Sequence, residues 1–279
     1  MHVASSVEDM RALRRGMAGG VGLVPTMGGL HDGHLSLVRA ARERDGHVIV
    51  SIFVNPTQFG PGEDYRRYPR DEKRDLALLR EEQVDVAFLP AVEEIYPPGD
   101  TTFVEVASVT EMLEGSHRPG HFRGVTTVVT KLLNIVRPNR AYFSRKDAQQ
   151  LVVVRRLVHD LRLDVEIVPL PFVRESDGLA MSSRNAYLAP HERVAALVLS
   201  RAVRRAEALF GAGERDATRL RAAMSELIAE EPLAQVDYVS VADAESLQEL
   251  ERVDRPALVS LAVRIGGTRL IDNVTLEPA

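Results

Sequence analysis

The chain contains no cysteine and no tryptophan. Disulfides, thiolate metal sites and cysteine nucleophiles are therefore excluded, and any metal has to be held by His and carboxylates. Long apolar runs are also missing: nothing approaches the roughly 18 uninterrupted apolar residues of a membrane span. The N-terminal segment has no basic stretch leading into a hydrophobic one, so a secretory leader is not expected either. Charge of one sign is not in excess. The formal net charge is −5 with both signs mixed along the chain, which provides no basic stripe for nucleic acid. A cytoplasmic protein with neither membrane nor nucleic-acid partner is the expectation. Small anionic substrates stay open, because a cleft can concentrate a few cations and backbone N–H groups whatever the total charge. What is present is 279 residues, 45% of them hydrophobic, enough for one large domain or two modest ones with cores of their own.

The pattern begins with the apolar Gly22–Pro25, then a glycine- and histidine-rich stretch, then Leu35, Leu37, Val38 and Ala41 at helical spacing. That is strand, glycine loop, helix. Val48–Val54 follows as a nearly continuous apolar run, the mark of a strand covered on both faces, so the first 54 residues read as a βαβ unit with a parallel sheet. Alternation continues: a helix at 71–82, strand at 84–89, helix at 125–136, strand at 141–143, helix at 148–161 and strand at 165–168. The expected fold is α/β, a Rossmann-like doubly wound parallel sheet over residues 1–175. From residue 176 to 279 the pattern changes to helices at 192–210 and 217–230, a strand at 236–241, and a hairpin whose arms 257–265 and 268–274 flank Gly266-Gly267. A smaller α+β domain is expected there.

Four segments carry chemistry. Pro25-Thr26-Met27-Gly28-Gly29-Leu30-His31-Asp32-Gly33-His34 lies where a strand ends and a helix begins, the place at which open α/β sheets bind ligands. Glycines there allow backbone to approach a phosphate, and His31 and His34, three apart, can face the same way and donate to phosphate oxygens. The plain alternatives are a turn with two solvated His, or a His-x-x-His zinc site with no third ligand at evident spacing. Ser144-Arg145-Lys146-Asp147-Ala148-Gln149-Gln150 occupies the same position on a later strand. Lys146 can neutralise phosphate, Asp147 can cap the helix or bind a sugar, and Gln150 projects one turn in; a plainly capped helix with a solvated Lys is the other reading.

Met181-Ser182-Ser183-Arg184-Asn185 gathers two hydroxyls and a guanidinium that can clamp an anion, or it is a hydrophilic linker. Finally, Phe53-Val54-Asn55-Pro56-Thr57-Gln58-Phe59 offers two neutral amides, Asn55 and Gln58, between aromatics. They suit a small polyol or acid rather than phosphate, unless they merely satisfy a local turn.

Together, PTMGGLHDGH, FVNPTQF, the KDAQQ run and MSSRN resemble the pantothenate synthetase (pantoate–β-alanine ligase) family in order and spacing along nearly the whole chain. The His31–His34 and Met181–Arg184 elements also resemble the paired nucleotide signatures of class I aminoacyl-tRNA synthetases and related nucleotidylyltransferases. The resemblance implies an ATP- and pantoate-binding Rossmann-like domain, a smaller C-terminal lid, a homodimer, Mg²⁺ with the nucleotide, and a two-step reaction through a pantoyl adenylate that β-alanine resolves. It assigns Met27, Gly28, Gly29, Leu30, His31, Asp32, Gly33, His34, Ser144, Arg145, Lys146, Asp147, Val173, Met181, Ser182, Ser183 and Arg184 to ATP. Catalysis falls to His34, His31, Lys146 and Arg184, with His34 as proton donor. Gln58, Gln150 and Asn55 go to pantoate, Gln58 also lying near β-alanine, and Asp75 to the metal. Ser144 and Arg145 stand where relatives have Gly and Glu or Gln, and Arg74 replaces a second acid before Asp75.

Two other functions fit the residues alone. A nucleotidylyltransferase shares the His-Asp-Gly-His loop but wants a basic pocket for a phosphate acceptor, where this chain has amides. A non-catalytic nucleotide sensor would bind without turnover.

Overall fold

The computed structural model describes residues 1–278. In chain order the elements are β1 (His2–Ala4), α1 (Val7–Arg15), β2 (Val21–Thr26), α2 (Asp32–Arg44), β3 (His47–Ile52), α3 (Glu72–Glu81), β4 (Val86–Phe88), α4 (Val92–Ile95), α5 (Glu114–His117) and α6 (His121–Val136). These are followed by β5 (Arg140–Ser144), α7 (Ala148–Asp160), β6 (Glu166–Leu170), α8 (Pro190–Gly211), α9 (Ala217–Ala229), β7 (Ala234–Asp243), β8 (Ala257–Ile265) and β9 (Thr268–Leu276).

Two compact units result: Met1–Thr110 with Arg118–Pro171, and Glu111–His117 with Phe172 onward. A single break at residue 175 does not foresee that the turn of helix at α5 belongs with the later part of the chain. The tie is a charged one that sequence spacing does not advertise. Arg269 on β9 donates to both carboxylate oxygens of Glu114, at 2.6 and 2.9 Å, and to Asp237 at 2.6 Å.

The first unit holds a six-stranded sheet in the order β1-β4-β3-β2-β5-β6, every neighbouring pair parallel. Without β1 the order is that of the doubly wound nucleotide-binding sheet: the chain winds outward from β2 through β3 to β4, then returns to lay β5 on the other side of β2. β1 and α1 were not foreseen, because a three-residue edge strand with two exposed positions carries no periodic signal. The inner strands are buried along nearly their whole length, as apolar runs covered on both faces should be. α2 turns Leu35, Leu37, Val38 and Ala41 inward. Leu30, at the end of the glycine loop, is 1% exposed and packs in the same core as Val24, Val50, Leu76 and Leu79. Burying that side chain is worth about 1.5–3 kcal/mol, so the loop is pinned by its own leucine.

The second unit pairs β7, β8 and β9 in an antiparallel sheet against α8 and α9, with a core from Ala195 to Leu276. The Gly266-Gly267 hairpin is present, with Ile265 opposite Thr268 and Gly266 at φ +56. Among the described residues no helix is long and apolar enough to cross a membrane.

Candidate active site

The switch point lies between β2 and β5, whose registers pair Gly22 with Arg140 and Leu23 with Ala141. Their carboxyl ends, at Thr26 and Ser144, open into the two expected loops. The first loop is built from side chains distant in sequence. Thr26 Oγ1 accepts from Gly28 N at 3.2 Å and donates to the Ser51 carbonyl at 2.8 Å. Asp75, on α3, accepts from Gly29 N and Leu30 N, each at 2.8 Å. Arg74 Nη1 donates to the Leu30 carbonyl at 2.9 Å.

Two of the expected site groups have partners inside the protein. The N–H groups of Gly28, Gly29 and Leu30 donate inside the protein, to Thr26 Oγ1 and to the two oxygens of Asp75. Asp75, assigned by resemblance to the metal, is 1% exposed with both oxygens turned to backbone N–H groups. Among the described residues no cluster of three or more His, Asp or Glu side chains could hold a metal ion, which also sets aside a zinc site at His31 and His34.

The loop delivers the two histidines. His31 is the N-cap residue of α2 but makes no side-chain cap, so the first turn, with Asp32 and Gly33, keeps its positive end for a ligand. The His31 and His34 rings stack with centroids 4.1 Å apart. Burial, then the adjacent His31, and more weakly Lys146, push the His34 pKa down to about 3, against an opposing pull from Asp147. The ring is therefore neutral at pH 7, and its buried Nδ1 has no hydrogen-bond partner. A buried polar atom of this kind costs free energy until a ligand completes it. These couplings bring His31 and His34 from the β2 loop together with Lys146 and Asp147 from the β5 loop.

The second loop is held locally. Ser144 Oγ accepts from Lys146 N at 3.1 Å, and Lys146 Nζ pairs with Asp147 Oδ1 at 3.4 Å. Ser144 is thus turned back onto its own turn rather than outward, while Arg145 is exposed. Gln150 is half-buried in the first turn of α7; its neighbour Gln149 is buried on the Val109 carbonyl at 2.8 Å.

Gln58 is buried beside the first loop: its Nε2 lies 2.9 Å from Met27 Sδ and its Oε1 accepts from Asn55 Nδ2 at 3.1 Å. Asn55 lies deeper. It is 1% exposed; its amide also donates to the Gly124 carbonyl, and its oxygen accepts from Thr57 N, Thr57 Oγ1 and Tyr96 Oη. With these bonds it shapes the turn that presents Gln58. Sequence reading missed Gly124 on α6. A Cβ there would sit 2.4 Å from the Thr57 carbonyl oxygen and 2.6 Å from Gln58 N, so only glycine lets α6 lie against this turn. His121 Nδ1 adds a bond of 2.8 Å to the Gln58 carbonyl.

In the second unit Ser182 Oγ accepts from Arg184 N at 3.3 Å, starting a short helical turn over Ser183–Tyr187, and Met181 N donates to the Val173 carbonyl at 3.1 Å. Asn185 is structural, donating to Glu175 and to the Ala180 carbonyl.

A parallel doubly wound sheet with its polar side chains gathered at the switch point defines a Rossmann-like α/β protein of the kind that binds small ligands at that edge. The chain belongs to the pantoate–β-alanine ligase family of enzymes, whose sequence profile matches residues 2–275. A pantothenate synthetase of Roseiflexus castenholzii is 62% identical over 277 residues, covering 99% of this chain and 100% of that protein. The crystal structure of pantothenate synthetase from Thermus thermophilus matches with a TM-score of 0.96 at 48% identity over 100% of both chains. The pantoate–β-alanine ligase of Francisella tularensis, crystallised with a β,γ ATP compound and β-alanine, matches with a TM-score of 0.82 at 35% identity, covering 98% of this chain and 97% of that one.

Proposed function

We propose that the protein joins pantoate to β-alanine at the expense of ATP through a pantoyl adenylate. A pantoate carboxylate oxygen bonds to the α-phosphorus while the bond to the β-phosphate breaks and diphosphate leaves. The β-alanine amine then attacks the acyl carbon, AMP departs, and the amide of pantothenate is left after loss of a proton from nitrogen. No protein nucleophile is required, in keeping with the absence of cysteine. The observation that carries the reading is that β2 and β5 are paired neighbours whose carboxyl ends lead into the loops of His31, His34 and Lys146.

Carboxylate and triphosphate repel, so the site has to supply positive charge and donors where negative charge develops. Lys146 supplies the charge. His34, neutral in the free protein, offers a ring N–H, and nearby phosphate would raise its pKa toward protonation and proton donation. Gln58, set against Met27, and the amide of Gln150 suit the hydroxyls and carboxylate of pantoate. Val173, Met181, Ser182, Ser183 and Arg184 are assigned to the nucleotide, and the second unit to a lid, on the resemblance of their motif. A homodimer and a cytoplasmic location rest on the same ground. Mg²⁺ would travel with the triphosphate: the carboxylate expected to hold it is spent on Gly29 and Leu30, so no protein-built magnesium site is assigned.

The test is twofold. AMP should appear only when D-pantoate and β-alanine are both supplied, and labelled diphosphate should exchange into ATP with pantoate alone. Exchange that needs β-alanine would rule out a free-standing adenylate step, and AMP formation indifferent to the acid would remove the substrate assignment.

A further inference from the structure

We propose that Asp75 and Arg74 form a positioning clamp that sets the glycine loop and, through it, the histidine pair. The inference rests on the reading of His34 as part of the ATP site. Gly28 and Gly29 are consecutive residues in left-handed conformation, at φ +82 and +60. Glycine visits that region as readily as any other, so the sequence of the loop does not by itself choose one shape. The choice is imposed from α3. One carboxylate spans two adjacent N–H groups, those of Gly29 and Leu30, and the next side chain back, Arg74, holds the Leu30 carbonyl. Both backbone polar groups of Leu30 are thereby tied to a helix more than forty residues away in sequence, while its side chain is tied to the core.

The fit is close. A Cβ at Gly28 would stand 3.1 Å from Asp75 Oδ2 and 3.0 Å from Ile52 Cγ2. His31 is the residue after Leu30, and His34 lies in the first turn of α2 that follows. A shift of the Leu30 peptide is therefore passed directly to the two rings, whose centroids stand only 4.1 Å apart. Arg74, which takes the place of a second acid in the family pattern, is on this account a gain of a clamp contact rather than a lost metal ligand.

The experiment compares Asp75→Asn, Arg74→Ala and Arg74→Lys with the parent chain. Thermal unfolding, imidazole NMR, steady-state kinetics in ATP and the Mg²⁺ concentration for half-maximal rate are measured for each. Asparagine keeps the shape but can accept from only one of the two N–H groups, its NH₂ facing the other. Asp75→Asn should displace the His31 and His34 resonances and lower kcat/KM for ATP by roughly 10²-fold, the usual cost of a displacement near 1 Å, with the Mg²⁺ midpoint unchanged. Arg74→Ala should show a smaller loss of the same kind, and Arg74→Lys, which keeps a donor for the Leu30 carbonyl, should recover most of it.

A raised Mg²⁺ midpoint with unmoved histidine resonances would overturn the proposal and return Asp75 to the metal. Parent-like kinetics and resonances in both Asp75→Asn and Arg74→Ala would overturn it too. If Asp75→Asn does not fold, the Arg74 pair decides alone. The NMR readout needs no turnover, so an inactive parent would sink the catalytic reading while leaving the clamp to be judged on the resonances.

Discussion

The loops that follow β2 and β5 sit at the ends of neighbouring strands, yet they are held in opposite ways. The β5 loop carries bonds of its own: Ser144 caps the N–H of Lys146 two residues on, and Lys146 pairs with Asp147 beside it. The β2 loop depends on Ser51, Arg74 and Asp75 for its bonds and on the core for its leucine. A loop that carries flexible cations such as Lys146 tolerates local support, because a lysine reaches its target by adjusting its own stem. A loop that must hold two rings in stacking contact needs support from outside, because its glycines provide none.

The largest expected effect removes what each loop delivers. His34→Ala and Lys146→Ala should each lower turnover by roughly 10²-fold or more, the scale of losing one charge-stabilising contact; AMP formation at saturating substrates measures it, and parent-like rates in either would strike that loop from the site. Next comes Gly124→Ala, which attacks the neighbouring Gln58 turn. Forcing a methyl to within 2.4 Å of the Thr57 carbonyl oxygen should cost about 1–3 kcal/mol of stability, as overpacking does, and should raise KM for pantoate more than KM for ATP. An unchanged melting temperature would show that α6 does not press on this turn.

Acid sharpens the contrast between the loops in a different way. The His34 pKa is about 3 in the folded chain against 6.5 when free. As pH falls below about 6.5 the unfolded state takes up a proton that the folded state refuses, so stability drops through the window from 6.5 to 3. His34→Gln should make that decline shallower by up to one proton in denaturant titrations at stepped pH. An identical slope would mean that the ring is open to protonation in the folded state. The smallest effect is expected at Ser144→Ala. Loss of a local cap of this type is worth about 0.5–2 kcal/mol, and the rate should change less than for Asp75→Asn. A larger kinetic loss at Ser144 than at Asp75 would reverse the comparison.

Much of this was legible in the residues. The alternating apolar runs announced the parallel sheet, and glycine followed by histidine announced a loop at the carboxyl end of a strand. The Gly266-Gly267 pair announced the hairpin. What the residues did not show has physical reasons. Asn55 carries the same amide as Gln58 and sits three residues away, but one is spent on Tyr96, Thr57 and Gly124 while the other reaches Met27. Asp75 looks like any helix-start acid until Gly29 and Leu30 are found against it. β1 was silent because three residues at a sheet edge are too few to show a period.

The order of residues determined the element types, the parallel winding and the two strand ends that bear polar groups, since periodicity and turn chemistry act over a few neighbouring positions. Tertiary structure alone decided which of those polar groups remain available. Whether a carboxylate or an amide is spent inside the protein depends on partners forty or more residues away, as Asp75 is for Gly29 and Gly124 is for Asn55. Hydrogen bonds saturate, so a partner found across the fold removes a function that the side chain by itself would suggest.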